Sequence, residues 1–184
     1  RLWSVRDPAT QRMIARPIIG VDGRALLERP GGLRRYAESV VPLLPEVAPE
    51  FSWLVYATAP PGSMPATRGI RWRYLAGSLQ ALRRPWWEDI VLPRALRQDG
   101  VEVLLSPYGV VPRVGPPVVA VVHDFVALCH PETLRWHHRW YWRRIARRLP
   151  RAARVVANSA ATAADACRRA GVPPELVVVA PLAP

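Results

Sequence analysis

The segment Val118–Val122 is an unbroken aliphatic run, almost entirely β-branched, that ends at His123 and Asp124. It constrains the fold more than any other part of the sequence. A strand without polar alternation must be covered on both faces, the condition of an interior strand in a parallel sheet. Shorter apolar runs follow the same pattern at Ile18–Val21, ending at Asp22; Phe51–Tyr56; Val103–Leu105, stopping at Ser106 and Pro107; Arg154–Ala157; and Leu176–Val179. Ile70–Leu75 alternates arginine with aromatic or aliphatic residues, as a half-exposed edge strand does.

Between these runs the apolar period changes to that of a helix. Gly31 and Gly32 open a helix with an apolar face of Leu33, Tyr36, Ala37, Val40, Leu44 and Val47, interrupted by Pro42 and Pro45. Trp86–Leu96 reads as a helix despite Pro93, and Thr133–Leu149 as a long helix closed by Pro150. Asn158 and Ser159 supply an N-cap for a helix running to Ala170, with Gly171 in the terminating position. Pro60–Pro65 is a loop. Strands alternating with helices predict an α/β domain, a Rossmann-like parallel sheet with helices on both faces. The expected domain spans residues 17–184, and residues 1–16 form an N-terminal extension without a clear period.

Composition narrows the function classes. Half of the 184 residues are hydrophobic, which excludes a disordered chain, and only two cysteines are present, which argues against a disulfide framework. No apolar run is long enough to span a bilayer and no signal-peptide core opens the chain, so a cytoplasmic location is expected. The net charge of +12 is carried by arginine alone, since there is no lysine. A genome-wide codon bias accounts for the missing lysine, but a strongly positive field still favours phosphate-bearing partners.

In a parallel sheet of this type, ligands sit beyond the carboxyl ends of the strands. That places Asp22, Gly31, Gly32, Ser106, His123, Asp124 and Ser159 under consideration. Gly31 and Gly32 can present bare backbone N–H groups to a phosphate at a helix start, although a plain turn needs the same residues. They do not form the dinucleotide fingerprint, and no acidic residue ends the second strand, which disfavours a nicotinamide enzyme. His123 can contact a substrate hydroxyl or a developing charge, with the Asp124 carboxylate orienting it. Cys129, His130, His137 and His138 match no zinc spacing, so no metal site is expected.

On the helix Thr133–Leu149, Leu134, His138, Tyr141, Ile145 and Leu149 form a core stripe. The opposite face carries Trp136, Arg139, Trp140, Arg143 and Arg147, a pattern suited to an anionic membrane surface or, equally, to a solvated face packed on a neighbour. Nucleic-acid binding ranks lower, because no recognised module is visible.

Ile19–Arg24, Gly31–Tyr36, Trp87–Pro93, Val103–Pro107, Val121–Asp124, His130–Glu132 and Val155–Ser159, in this order, resemble the N-terminal domain of family 4 glycosyltransferases. The resemblance covers residues 17–184. It implies the N-terminal half of a GT-B architecture: the acceptor-binding half of a retaining hexosyltransferase. The implied enzyme transfers a mannose- or glucose-like sugar from a nucleoside-diphosphate sugar to a glycan or lipid-linked acceptor, as in polysaccharide biosynthesis. No cofactor is expected in this half. His123 and Asp124 inherit the catalytic positions, and Gly31, Gly32, Arg35, Ser106 and Ser159 the substrate-binding ones. Tyr36 matches the family's tyrosine position and reads as core. Leu33 and Arg34 stand where a smaller residue and a glycine are usual, which implies a bulkier loop. The donor would be held mainly by a C-terminal domain in the same or a separate chain, so the isolated half would be inactive. The alternative is a non-catalytic peripheral membrane or partner-binding module using the Arg/Trp-rich helix 133–149, the former placed on the inner membrane face.

Overall fold

The computed structural model describes residues 16–60, 68–75 and 84–182. The expected N-terminal extension, apart from Arg16, and most of the 60–65 loop lie outside these residues. Among the described residues seven strands form one sheet: β1 (Ile18–Asp22), β2 (Ser52–Ala57), β3 (Ile70–Tyr74), β4 (Val103–Ser106), β5 (Val118–Val122), β6 (Arg154–Ala157) and β7 (Val177–Val179). Their order is β3-β2-β1-β4-β5-β6-β7 and every pairing is parallel. β3 is an edge strand, as its alternation predicts, and β5 lies inside the sheet between β4 and β6. The chain runs outward from β1 in one direction and then returns to build the other side. The carboxyl ends of β1 and β4 therefore flank the crevice where the winding reverses.

The helices are α1 (Gly32–Val40), α2 (Leu44–Val47), α3 (Arg84–Trp86), α4 (Leu92–Gln98), α5 (Val126–Cys129), α6 (Trp136–Ala146) and α7 (Ala160–Ala170). Pro42 and Pro45 end α1 in a tighter 3-10 turn, Val41–Leu43, before α2. Of the face expected on this helix, Ala37 is buried, whereas Val47 is exposed. Between α3 and α4 the chain makes a π-helical turn, Trp87–Val91, and the Leu92 N–H donates to the Trp87 carbonyl. Pro93 then falls where the π-helical turn passes into α4, and as a proline it donates no backbone hydrogen bond there.

The helix expected over 133–149 is shorter. Arg135 is extended, with φ −63° and ψ 150°, so α6 starts at Trp136, and Pro150 falls in a separate 3-10 turn, Leu149–Arg151. Tyr141, Ile145 and Leu149 are buried as expected. His138 is exposed, a correction to the core stripe: in the first turn of α6 the half-buried positions are its neighbours His137 and Arg139. α7 follows its sequence signals closely. Ser159 Oγ accepts from the Thr162 N–H, and Gly171 adopts φ 69° at the end.

A buried ionic cluster joins the end of β1 to the helical layer. The Arg24 side chain is only 4 % exposed; it binds both Asp22 oxygens at 3.0 and 2.6 Å and Glu88 Oε1 at 3.0 Å. Its guanidinium lies 4.2 Å from the centre of the Trp87 ring. Glu88, fully buried, also accepts from the Tyr141 hydroxyl at 2.6 Å and from Arg144 at 2.5 Å. Arg144 and Arg148 both reach Asp89, at 2.8 and 2.6 Å. Burial raises the Asp89 carboxyl, but hydrogen bonds from Arg148 and Arg144 outweigh it and hold the group below its ordinary range. The π-helical turn places Glu88 and Asp89 in this cluster from adjacent positions.

Removing one partner from such a cluster strands buried charge. Glu88→Ala is therefore expected to lower unfolding stability by about 3 kcal/mol or more. Urea denaturation showing a loss under about 1 kcal/mol would contradict the role assigned to the cluster.

Candidate active site at the carboxyl end of β5

His123 follows the last residue of β5, beside the β4 loop that begins at Ser106. Ser106 is fully buried; its Oγ accepts from the Val110 N–H at 3.0 Å, and its carbonyl accepts from the Gly109 N–H at 3.1 Å. Gly109 has φ +70°, and a Cβ there would lie 3.2 Å from the Val121 carbonyl oxygen, so glycine lets the loop cross close over β5. The loop directs the Pro107 carbonyl at His123, 3.1 Å from Nε2. A carbonyl can only accept, so Nε2 carries the proton and Nδ1 holds the lone pair.

The ring is held from a second side by Tyr36 of α1, whose ring centre lies 4.8 Å away at an interplanar angle of 72°. Burial lowers the His123 pKa below 6.5, while the Pro107 contact and the Asp124 charge only partly oppose it. The imidazole is therefore neutral at neutral pH and can accept a proton from a hydroxyl. Thr162, in the first turn of α7, places its hydroxyl 3.3 Å from the His123 carbonyl and 2.9 Å from Asn158 Oδ1. The start of α7 is thereby tied to the histidine loop.

A mostly apolar cavity of about 240 Å³ opens beside His123. Leu33 of α1, Phe125 and Leu128 border it, together with Trp142 and Ile145 of α6. Tyr108 also lines it and stacks on Trp142, with ring centres 5.9 Å apart and planes 8° from parallel. Arg84 donates to the Tyr108 hydroxyl and pairs with Glu28 at 2.6 Å.

The family model for Glycosyltransferase Family 4 matches residues 30–183, spanning the glycine turn, the His123 loop and α7. The chain belongs to that family. No curated protein sequence matches it significantly. Among solved structures, the Anabaena protein Alr3699/HepE in complex with UDP shares 18 % identity at a TM-score of 0.51, covering 90 % of this chain and 43 % of that one. The same protein with UDP and glucose matches at 18 % identity and a TM-score of 0.49, covering 89 % and 44 %. At that identity the likeness concerns the fold, and the chain spans less than half the length of that protein. The Rossmann-like α/β reading of the sequence is borne out.

Within this family 4 domain the candidate residues occupy distinct places. His123, with the start of α1 beside it through Tyr36 and Leu33, forms one site. Gly31 and Gly32 are exposed at the start of α1, and a Cβ on Gly32 would meet nothing within 4 Å, so neither glycine is imposed by packing. Arg35 is exposed on the first turn of α1. Arg34, in the departure from the usual loop, pairs with Glu38 at 2.8 Å.

Asp124 is exposed, and its Oδ1 accepts from the Val126 N–H at 3.0 Å. It stabilises the turn after β5, while the Pro107 carbonyl, rather than Asp124, orients the imidazole. Ser106 is enclosed beneath the loop, and its Oγ is committed to Val110, so it supports the loop instead of facing a ligand. Ser159 is occupied as the cap of α7, with its Oγ also donating to Thr162 Oγ1 at 3.0 Å. Trp136 and Trp140 are 73 % and 50 % exposed, with Arg143 and Arg147 exposed beyond them. Arg139 is half-buried and donates to the Leu134 carbonyl at 2.8 Å. Among the described residues no three histidine, cysteine or acidic side chains gather as metal ligands, and no helix is long and apolar enough to cross a membrane.

Sequence reasoning missed Tyr36 as a ring partner of His123, the Tyr108–Trp142 stack and the Arg24–Glu88 pair. Only the last had a signal: Glu88 and Asp89 interrupt an apolar helix, and buried acids require basic partners.

The His123 ring is expected to titrate below 6.5 by NMR and to show the Nε2–H tautomer when neutral. Because its pKa is lowered on folding, its contribution to stability is complete above the unfolded value of about 6.5 and declines as pH falls through it. A midpoint above 6.5 would contradict the burial of the ring, and an Nδ1–H tautomer would contradict the Pro107 contact.

Proposed function

We propose that this chain is the acceptor-side half of a retaining glycosyltransferase. It would transfer a mannose- or glucose-like sugar from a nucleoside-diphosphate sugar to a glycan or lipid-linked acceptor. The observation that carries this reading is His123, neutral and fixed at the end of β5 with Nδ1 available as an acceptor. Membership of family 4 supports the reaction class, and the likeness to a UDP-bound protein twice as long supports a second, donor-binding domain. That domain, in the same or a separate chain, would close over the carboxyl ends of the strands.

In this arrangement the chain's own residues orient the acceptor and the transferred sugar. His123 accepts from a sugar hydroxyl, and the start of α1, with Gly31, Gly32 and Arg35 exposed, faces the donor diphosphate. Helix N–H groups and arginine favour charge that develops on the departing diphosphate. Asp124 and Ser159 act through the turn after β5 and the cap of α7.

A second reading is favoured by the exposure of Trp136 and Trp140 beside Arg143 and Arg147. Indole rings at headgroup depth with arginine around them suit peripheral attachment to the anionic inner face of a membrane. The two readings are compatible, since the α6 face lies apart from His123.

The decisive assay joins this chain to its donor-binding half and follows sugar transfer. The isolated chain is expected to transfer nothing, and His123→Ala in the joined enzyme to lower kcat about 100-fold with little change in KM for the donor. Transfer by the isolated chain would refute the half-enzyme reading. Unchanged kcat in the variant would remove His123 from the mechanism.

A further inference from the structure

Residues 28–36, which carry the glycine turn, are anchored at both ends. Glu28 follows the 3-10 turn Gly23–Leu27 and is half-buried, as is Tyr36 in α1. Between them Arg29, Pro30, Gly31 and Gly32 are exposed. The Glu28 carboxylate pairs with Arg84 at 2.6 Å, and the two side chains are 23 % and 15 % exposed. Arg84 also donates to the Tyr108 hydroxyl, with its guanidinium carbon 5.3 Å from the centre of that ring. Tyr108 is the residue after Pro107, whose carbonyl holds His123 Nε2. One end of the segment thus reaches the imidazole through Arg84, Tyr108 and Pro107. The other end reaches it directly, since Tyr36 sets its ring against His123.

An imidazole needs both contacts to be fixed. Rotation about the bond to a histidine ring is soft, so the side-chain torsion alone leaves the ring plane undetermined. The Pro107 hydrogen bond holds one atom, and one held atom still lets the plane swing. The edge contact with Tyr36 removes that rotation. The Tyr36 hydroxyl has no hydrogen-bond partner among the described residues, so the ring is what this residue brings to His123.

We infer that Tyr36 and Tyr108 are positioning residues, two arms that tie the plane of the His123 ring to the segment carrying the glycine turn. The inference rests on the reading of His123 as the group that meets a sugar hydroxyl. A lone pair is directional, so an imidazole free to swing keeps its proton affinity and loses its aim.

NMR of the His123 ring in this chain tests the arms without any transfer. In Y36L the ring gains solvent, so its lowered midpoint should rise toward about 6.5; Y36F, which keeps the aromatic edge, should retain the original midpoint. Y108F keeps the stack on Trp142 but loses the Arg84 hydrogen bond, and its His123 Nε2–H proton should exchange with water about tenfold faster or more. E28A, acting through Arg84, should do the same. Circular dichroism verifies the fold; if Y36L misfolds, Y36M takes its place, and Y108F and E28A decide regardless. In the enzyme joined to its donor-binding half, Y36L should lower kcat about tenfold without raising the donor KM, and Y36F should restore it. The combined loss in Y36L/Y108F should fall well short of the product of the single losses, because both free the same ring. An unmoved midpoint in Y36L, a Y36F spectrum like that of Y36L, or unchanged exchange in both Y108F and E28A would each overturn the inference. Ring spectra that respond as expected while H123A transfers at full rate would uphold the two arms and overturn only the reading of His123 as a sugar contact.

Discussion

A guanidinium buried at the end of β1 organises the half of the molecule that carries the site. Arg24 has almost no solvent exposure, and its charge is tolerable only because Asp22 and Glu88 are fixed against it and Trp87 presents a ring face. Glu88 must reach inward from the turn before α4, and it draws Tyr141 and Arg144 of α6 toward the same point. The sheet, the π-helical turn and α6 thus share one set of partners. The register of α6 decides where Trp142 and Ile145 stand as the cavity wall. Shifting that helix would cost several charge-assisted contacts together, so the wall inherits its position from ionic geometry as well as apolar packing.

Much of the fold is legible because the strands are written in aliphatic runs. Val118–Val122 lies inside the sheet, and the arginine alternation of Ile70–Tyr74 lies at its edge. α7 carries its own start and stop in Ser159 and Gly171. Legibility fails where backbone geometry departs from a single period. Nothing in the sequence announces that Arg135 is extended, and the π-helical turn that accommodates Pro93 has no repeat to detect. His138 matched the helical spacing, but spacing alone does not say which positions of a first turn are covered.

The site was legible in part. The end of β5 is a natural place for chemistry, and His123 stands there. Its partners were not legible, because Pro107 contributes a backbone carbonyl and Tyr36 comes from a distant element. The neighbouring acid in the sequence suggests an orienting carboxylate, yet Asp124 satisfies the Val126 amide instead. Ser106 illustrates the same limit. A serine after a strand reads equally as a ligand or as a support, and only burial separates the two. The uniform arginine content also concealed a division of labour between guanidiniums balanced by acids in the interior and the exposed Arg143 and Arg147 on α6.

The hydrogen bond between His123 and Pro107 has a consequence for selectivity. With its one N–H committed to a carbonyl, the neutral imidazole has only a lone pair left to offer. A lone pair meets hydroxyl or amine protons but repels phosphate and carboxylate oxygens. The end of β5 is therefore a polarity filter, open to groups that bring a proton and closed to anions, which the fold must receive on its helix starts and arginines instead.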